Sequence, residues 1–437
     1  MVAVDEADKR STAVGREWAC LLAILLATYS LIDSLYVSIP ATQRGLFAVI
    51  LAVALISAVA VSSRAVLTSS AFRTVAALIL IITTGSIGVI DQSPRYWIYI
   101  FGDAATIGLI VLFIVFGAGV STFFVSRGVV MALSAIELVS ALLSRVVGVE
   151  NGRFDPPSPF LIGATIGLAF SGRGSSRVII ALIVLILLSF LAYQSGFRTH
   201  VLLVFFGILI VLTRLVSMRT VLVLAGLAVL TIVLNLSAIT GWLSEQTVIS
   251  SSRFRELAAG QTDQSILERT LEVKDVWLTS LEGWQPYNWI TGSGHGATYV
   301  PTESFIIRNI TSENRVHNIH VGPVLLLFRY GAIGLVAYLL LLYVTIRQTV
   351  KMSFSSRTCA NTNPFFPWIV LMFLFDFLVR NVLIDPFFAY AVAGLVSAGL
   401  ITSKSPDDGS GAANGEHSVL QQPLDLSGFN AKNQPNV

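Results

Sequence analysis

Residues 317–346 read HNIHVGPVLLLFRYGAIGLVAYLLLLYVTI and contain one arginine and no lysine, aspartate or glutamate. A helix needs roughly 20 apolar residues to cross the hydrocarbon core of a bilayer, so this stretch is long enough to span it. The whole chain of 437 residues is 54% hydrophobic and 12% charged, about half the charged fraction of a soluble globular protein. The composition therefore predicts an all-α, polytopic integral membrane protein, because a spanning helix pairs its own backbone groups.

Together with this stretch, the other apolar runs predict about 12 transmembrane helices in all, of which the sixth is the shortest. The short loops on one side are richer in arginine and lysine, which assigns that side to the cytoplasm. Both termini are then cytoplasmic, and the longest loop faces outward. The predicted spans are 18–36, 45–61, 72–90, 96–120, 129–147, 159–170, 178–193, 201–216, 221–242, 317–346, 366–379 and 386–401.

The predicted spans divide the chain into five segments. The longest loop has about 70 residues, far more than an ordinary connection between helices, which indicates a functional loop. The last segment is rich in Gly, Ser, Asn, Gln and Pro, and we expect it to be disordered. The segments are a cytoplasmic N-terminus at 1–17, nine helices at 18–242, a large outward-facing loop at 243–316, three helices at 317–402 and a cytoplasmic tail at 403–437.

The long loop contains a predicted amphipathic helix at 265–282. Apolar residues recur there at the spacing of one helical face, and Arg269 stands at the edge of that face. Gly283 and Pro286 follow and predict its end. We expect the helix to lie on the membrane surface. Its apolar face consists of Leu267, Thr270, Leu271, Val273, Trp277, Leu278 and Leu281.

Polar residues collect at four places that the predicted orientation puts on the outer side. Ionisable groups at a membrane are costly, so a cluster of them indicates a function. The candidate site residues are Arg198 after the hairpin 194–198, Arg269 on the loop helix, Gly292, Gly294 and His295 in the run GSGHG at 292–296, and Arg315, His317, Asn318 and His320 at the mouth of the tenth span.

Simpler structural roles are open for several of these residues. Arg198 could extend its charge to lipid headgroups, and Arg269 could pair with Glu272 or Asp275 on its own helix. His317 and His320 lie three residues apart, a spacing that also suits a metal. Neither a cysteine nor a carboxylate accompanies them at ligand spacing, so we predict no metal site.

The chain lacks the sequence motifs that identify several classes of enzyme. A phosphate-binding Gly-x-x-x-x-Gly-Lys-Ser/Thr loop is missing, which argues against an ATPase. The outer loops also lack an Asp-x-Asp pair for a metal-bound nucleotide sugar, and no Gly-x-Ser-x-Gly elbow is found. A chemistry served by arginine and histidine remains, without metal or other cofactor. Such a chemistry suits an anionic, membrane-borne donor whose leaving group is already activated.

Four short motifs follow one another in the second half of the chain: SGFR at 195–198, Arg269 with Trp277, GSGHG at 292–296, and HN at 317–318 ahead of RYGAIGL at 329–335. In order, spacing and sidedness they resemble the O-antigen ligase and polysaccharide polymerase superfamily of bacterial inner membranes. The resemblance covers residues 195–340, and the first half of the chain matches only as membrane span.

The resemblance implies a fold related to the type C glycosyltransferases and a donor glycan carried on undecaprenyl diphosphate. It implies glycosyl transfer with inversion and without a metal or other cofactor. In these roles Arg198 and Arg269 would hold the diphosphate, and His317 would take the proton of the attacking hydroxyl. Asn318 would cap the tenth helix or orient the histidine. Residues expected to contact substrate are His295, Asn318, Arg315, His320, Gly292 and Gly294.

The acceptor is open within the superfamily. We favour a polymerase that joins O-antigen or exopolysaccharide repeat units, because the HN and RYG motifs resemble those of exopolysaccharide polymerases. An O-antigen ligase that moves the finished glycan to lipid A-core is the alternative. The expected partners are the lipid-linked donor, the acceptor glycan or lipid A-core, the bilayer and a chain-length regulator. The net charge of +3 gives no reason to expect nucleic acid.

A transporter or lipid-glycan flippase is a further alternative. Acidic residues inside predicted spans often serve transport, and this chain has Asp33, Asp103, Glu137 and Asp376. Transport sites lie near the middle of the membrane, whereas Asp33 and Asp376 fall near the outer ends of their spans. Asp376 precedes Arg380 by four residues, which predicts an ion pair on one helical face.

Overall fold

A computed structural model gives the arrangement of the chain. It describes residues 16–29, 54, 56, 69–90, 97–116, 124–147, 156–172, 174–195, 197–217, 219–223, 225–227, 264–301, 315–354, 363–383 and 385–401. In this part of the chain helices account for nearly all regular structure, and the sole extended pairing is one bridge between Tyr299 and Val316. The prediction of an all-α protein is confirmed for these residues.

Besides short helical pieces at 219–223 and 225–227, twelve helices and one π-helical turn organise the described residues. They are α1 at 16–29, α2 Ser69–Ile90, α3 Trp97–Val115, α4 Arg127–Val147, α5 Pro159–Phe170, α6 Ser175–Ser195, α7 Arg198–Leu212, α8 Gln264–Val276 with the π-helical turn Trp277–Leu281, α9 Pro286–Thr291, α10 Gly322–Phe354, α11 Phe365–Phe377 and α12 Pro386–Ile401.

Three of these helices are long and apolar enough to cross a membrane, over Arg127–Arg145, Ser175–Ser195 and Gly322–Val350. Shorter apolar helices of 10–17 residues accompany them, among them α5, α7, α11 and α12. These helices are compatible with a membrane protein. All of the predicted span 45–61 except residues 54 and 56, and most of 221–242, fall outside the described residues, as do the segments 1–15 and 403–437.

The short sixth span is a helix with the predicted bounds, and it lies at the centre of the helical packing. Ser158 caps α5 by accepting a hydrogen bond from the backbone N–H of Leu161 at 3.2 Å, and a proline follows at the first helical position. Ten of its 12 residues are buried. Gly163 faces the backbone of Ile369 in α11 so closely that a Cβ there would lie 2.4 Å from Ile369 Cα. The two helices can pack this tightly because the position has no side chain.

The tenth span begins later than predicted. We expected a helix from His317, but α10 begins at Gly322, and 317–320 form no helix. Pro323 then occupies the first turn, where its fixed φ and missing N–H are tolerated. Farther along, Gly331 adopts φ 59° and ψ −151°, which interrupts the helix. The interruption frees backbone carbonyl groups that an ordinary helix would use internally.

The loop helix is present as α8 and its π-helical turn, but its predicted apolar face is only partly buried. Leu271 and Leu281 of the predicted apolar face are buried, while Trp277 is 51% exposed. The side turned toward the protein includes the buried carboxylates of Glu272 and Asp275. An exposed tryptophan beside apolar residues is typical of a helix at a membrane interface, and the position of this helix on the membrane surface stays a prediction.

Candidate active site

The glycine run at 292–296 lies against the interruption of α10. The backbone N–H of Ser293 donates to the carbonyl of Phe328 at 2.7 Å, and that of Gly294 donates to the carbonyl of Arg329 at 2.8 Å. Gly292 and Gly294 have φ 73° and 83°, a region that L side chains avoid. A Cβ on Gly292 would also lie 2.4 Å from the carbonyl carbon of Arg329. Both conformation and space therefore require glycine at 292.

Asp103 of α3 is the centre of a buried ionic group. One carboxylate oxygen accepts from the guanidinium of Arg329, and the other accepts from the backbone N–H of Gly296 at 2.8 Å. Both charged side chains are almost completely buried. A buried charge is costly without a partner, and here the two charges compensate each other. The pair joins α3, α10 and the glycine run, which lie far apart in the sequence.

His317 is held against this pair from several directions. Its ring stacks on Tyr99 with centroids 4.1 Å apart and planes within 6°. The Nδ1 atom lies 3.2 Å from the carbonyl oxygen of Ala297, so a proton on Nδ1 is donated there. Nε2 lies 3.0 Å from Nη2 of Arg329 and 3.5 Å from a carboxylate oxygen of Asp103. The neutral tautomer therefore presents Nε2 as its basic nitrogen.

The electrostatics of His317 follow from these neighbours. Burial lowers the pKa of His317 below its usual value, and the charge of Arg329 acts in the same direction. Asp103 opposes both effects, because its carboxylate favours the imidazolium. The side chain is 16% exposed. The imidazole is therefore neutral near pH 7, while a proton arriving on Nε2 would be stabilised by the adjacent carboxylate.

His295 is deeply buried, and its contacts are to protein. Its Nε2 lies 3.1 Å from the carbonyl oxygen of Ile82, and Nδ1 lies 3.3 Å from the hydroxyl of Tyr330. The backbone N–H of His295 donates to the carbonyl of Gly85 in α2 at 2.9 Å. A Cβ at Gly85 would fall 2.6 Å from the imidazole. The residue fastens the glycine run to α2, and its expected substrate contact stays a prediction.

The loop helix is attached to the segment of His317 through Glu272. This buried carboxylate accepts from the backbone N–H of His320 at 3.0 Å and lies 3.1 Å from its Nδ1. The hydroxyl of Tyr299 donates to it at 3.4 Å, and burial together with Glu272 raises the pKa of Tyr299 far above its usual value. These contacts connect α8 to Tyr299 of the bridge and to His320. The described part of the loop therefore packs beside the segment of His317.

Arg315 and Asn318 belong to the same segment as His317, and Arg269 contacts the chain just after α11. Arg315 donates from Nε to the hydroxyl of Thr298 at 3.0 Å. Asn318 accepts from the side-chain amide of Asn381 at 3.3 Å; since α10 begins at Gly322, it is not the helix cap that we expected. Arg269 donates from Nε to the carbonyl of Val379 at 3.0 Å. Arg198 is the first residue of α7, and its side chain is half-buried.

Three residues of the central group were not among our site candidates: Asp103, Arg329 and Tyr99. Asp103 was considered only as a residue of a transporter, and Arg329 only as part of a motif. A signal was available, because each is a single charge inside a predicted span and intramembrane charges pair with one another. Nothing in the sequence tells which spans meet, so the pairing itself could not be predicted.

Among the described residues no group of three or more His, Cys, Asp or Glu is placed to hold a metal ion. No protein-family model matches the chain, and no curated protein matches it.

Proposed function

We propose that this protein is a membrane glycosyltransferase that transfers a glycan from undecaprenyl diphosphate to a sugar hydroxyl at the outer face of the bacterial inner membrane. The observation that carries the proposal is the position of His317 against the buried pair of Asp103 and Arg329. This arrangement supplies a neutral imidazole with an oriented basic nitrogen and a carboxylate beside it. General bases of this kind are tuned by burial and by charged neighbours.

The proposed reaction is a single displacement at the anomeric carbon of the donor sugar. The acceptor hydroxyl oxygen forms the new bond to that carbon, and its proton passes to Nε2 of His317. The bond from the anomeric carbon to the diphosphate breaks, and its electron pair leaves on the diphosphate. Arg198 and Arg269 bind this leaving group, since fixed guanidinium charges stabilise negative charge that grows in the transition state.

Arg329 has two consequences for the proton transfer. One of its N–H groups lies 3.0 Å from Nε2 in the structure, so the acceptor hydroxyl must replace that contact. Its charge also keeps the histidine neutral before the reaction. Asp103 acts in the opposite sense once the proton has arrived, because an imidazolium at Nε2 faces its carboxylate. Asp103 and Arg329 are therefore positioning residues, and His317 is the catalytic base.

Local pairing of the acidic residues supports an enzyme over a transporter. Asp103 is paired with Arg329, Asp376 with Arg380, and Glu137 accepts a short hydrogen bond from Ser158. Asp33 lies outside the described residues. A residue that binds and releases a transported ion must exchange partners, whereas both oxygens of Asp103 are held by protein hydrogen bonds and Asp376 is held in an ion pair. Among enzymes, we place a repeat-unit polymerase first and an O-antigen ligase second, with a chain-length regulator as a further partner.

The test is transfer by the purified, full-length protein in lipid nanodiscs. Undecaprenyl-diphosphate-linked repeat units are added with and without lipid A-core, and the products are separated by size. A ladder of lengthened lipid-linked glycan identifies a polymerase, and glycan on lipid A-core identifies a ligase. Sugar that crosses sealed vesicles without a new glycosidic bond would overturn the proposal in favour of a transporter. EDTA is expected to leave transfer unchanged, because the site residues include no metal-binding set.

A further inference from the structure

A second buried ionic group lies at the C-terminal end of α11. Asp376 is fully buried, and Nε of Arg380 lies 2.9 Å from its carboxylate. The backbone N–H of Arg380 donates to the carbonyl of Asp376 at 2.9 Å, so the pair occupies one helical turn. His200 of α7 is also buried, with Nε2 4.0 Å from the same carboxylate. The sequence predicted the pair of Asp376 and Arg380, and the structure adds the histidine.

This group is poorly satisfied by the protein. Within the described residues, neither oxygen of Asp376 and neither ring nitrogen of His200 makes an aligned hydrogen bond. Burying a carboxylate without hydrogen bonds is unfavourable, and one ion pair rarely compensates for the lost hydration. The group is therefore not expected to stabilise the folded protein. Ionisable residues kept at such a cost in a membrane protein are typically functional.

The exposed part of this group is a cation. The side chain of Arg380 is 35% exposed, whereas the Asp376 beneath it is shielded completely. Arg269 from the loop helix donates to the carbonyl of Val379, the residue before Arg380. Arg198 belongs to the first turn of the helix that carries His200. Arg380 and Arg269 thus come together at the end of α11, and Arg198 stands two residues before His200.

This cationic turn is connected to the segment of His317. Asn381, which follows Arg380, donates from its side-chain amide to Asn318, which follows His317, at 3.3 Å. A group bound at the turn would therefore be near the proposed base. A glycosyl donor requires this arrangement, because its leaving group and its attacked carbon belong to the same molecule.

We propose that Arg380, held in place by Asp376, is a third guanidinium that binds the diphosphate of the lipid-linked donor. The inference rests on the proposed function and deepens it. Arginine is suited to the role because its planar group binds phosphate through two parallel hydrogen bonds. Asp376 holds Arg380 from the buried side through the 2.9 Å contact to Nε, while the arginine side chain is 35% exposed.

Two kinds of phosphate group fit the Arg380 site: the diphosphate of the donor and the headgroup of a phospholipid. The experiment separates them with the full-length protein in nanodiscs of phosphatidylcholine, with or without phosphatidylglycerol. Binding of undecaprenyl diphosphate is measured for wild type, Arg380→Gln and Arg380→Lys. Arg214→Gln is the matched control, because Arg214 donates to the carbonyl of Gly172 in a part of the protein that we predict to be cytoplasmic.

We expect Arg380→Gln to raise the Kd for undecaprenyl diphosphate by about tenfold or more, the usual effect of losing a charge-assisted hydrogen bond. Arg380→Lys should fall between this variant and wild type, since it keeps the charge and loses the paired hydrogen bonds. Arg214→Gln should bind as wild type does, and phosphatidylglycerol should change none of these values. If Arg380→Gln fails to fold, the Kd of Arg380→Lys decides the question.

Unchanged Kd and KM for Arg380→Gln, in a protein whose wild type transfers glycan, would overturn the role of Arg380 and leave the proposed function standing. Loss of phosphatidylglycerol association with normal diphosphate binding would overturn it in favour of a headgroup contact. A wild type that neither binds the diphosphate nor transfers glycan would contradict both proposals.

Discussion

The protein contains two buried carboxylate–arginine pairs, and they differ in how completely the protein satisfies them. Both oxygens of Asp103 accept hydrogen bonds, one from Arg329 and one from Gly296. Asp376 has Arg380 at 2.9 Å, but its oxygens lack an aligned hydrogen bond in the described part of the chain. Arg329 is buried, whereas Arg380 reaches the surface. The first pair is organised to orient His317, and the second is organised to present a cation.

This comparison divides the proposed reaction between two places. Proton transfer belongs to the pair at Asp103, and the leaving group belongs to the arginines at the end of α11. Asn318 and Asn381 connect the two through one hydrogen bond. Variants on one side should therefore change the chemical step, and variants on the other should change donor binding and departure of the diphosphate.

The largest effect is expected on the leaving-group side. Arg269→Ala and Arg198→Ala should each lower kcat/KM for lipid-linked glycan by about a hundredfold or more, because each removes a cation that faces charge growing in the transition state. Steady-state transfer in nanodiscs measures the loss, and equal expression in the membrane is the control. If the Arg269→Ala protein turned over lipid-linked glycan normally, the loop helix would have only a structural role.

The pH dependence should distinguish the two partners of His317. The proposed base acts in its neutral form, and its pKa is already lowered by burial and by Arg329. Asp103→Asn removes the charge that favours imidazolium, so the acid limb of the pH profile should move to lower pH. Arg329→Gln removes the opposing charge, so the limb should move to higher pH.

Both variants should also lower kcat by about tenfold or more, since an orienting contact is lost and its partner is left buried. The profile of kcat/KM between pH 4 and pH 9, with ~0.5-unit steps around the expected limb, reports the pKa of the free enzyme's base. If the acid limb shifted in the same direction in both variants, or in neither, the group that titrates in this limb would not be His317.

Stability should respond strongly to a side chain at Gly292. Gly292→Ala places a Cβ against the backbone of Arg329 at a φ of 73°, and such strain costs about 1–3 kcal/mol. The thermal unfolding midpoint in detergent should fall. Gly283→Ala is the matched control, because its Cβ would meet nothing within 4 Å. Equal midpoints for the two variants would contradict the docking of the glycine run on α10.

A smaller effect is expected where the loop helix is fastened. Glu272→Gln should cost about 1 kcal/mol, because charged hydrogen bonds to His320 and Tyr299 become neutral ones. Hydrogen exchange of residues 264–281 should become faster, while Glu282→Gln, at an exposed position, should leave it unchanged. Unaltered exchange in Glu272→Gln would show that other contacts hold the helix.

Local features of the fold could be predicted from the sequence. The apolar run at 159–170 predicted α5 with its bounds, although it was the shortest predicted span. The loop helix was predicted from its periodicity. The start of α10 was wrong by five residues, because 317–346 is apolar enough to read as one helix while the polar pairing of 317–320 depends on partners elsewhere.

The site was only partly predictable for a related reason. His317 and the glycine run were identified from residue type and spacing, and the structure brings them together. Asp103 lies 226 positions from Arg329, and hydrophobic runs carry no information about which spans meet. Periodicity also locates a helical face without saying what covers it, which is why the buried position of Glu272 was not foreseen.

Donor binding and the chemical step of His317→Ala, measured on one nanodisc sample, test the central claim most directly. We expect the Kd for undecaprenyl diphosphate to stay near that of wild type, and single-turnover transfer at saturating donor to fall by about a hundredfold or more, as for loss of a general base. Transfer at the wild-type rate, or a loss explained entirely by weaker donor binding, would contradict the role of His317 as the base.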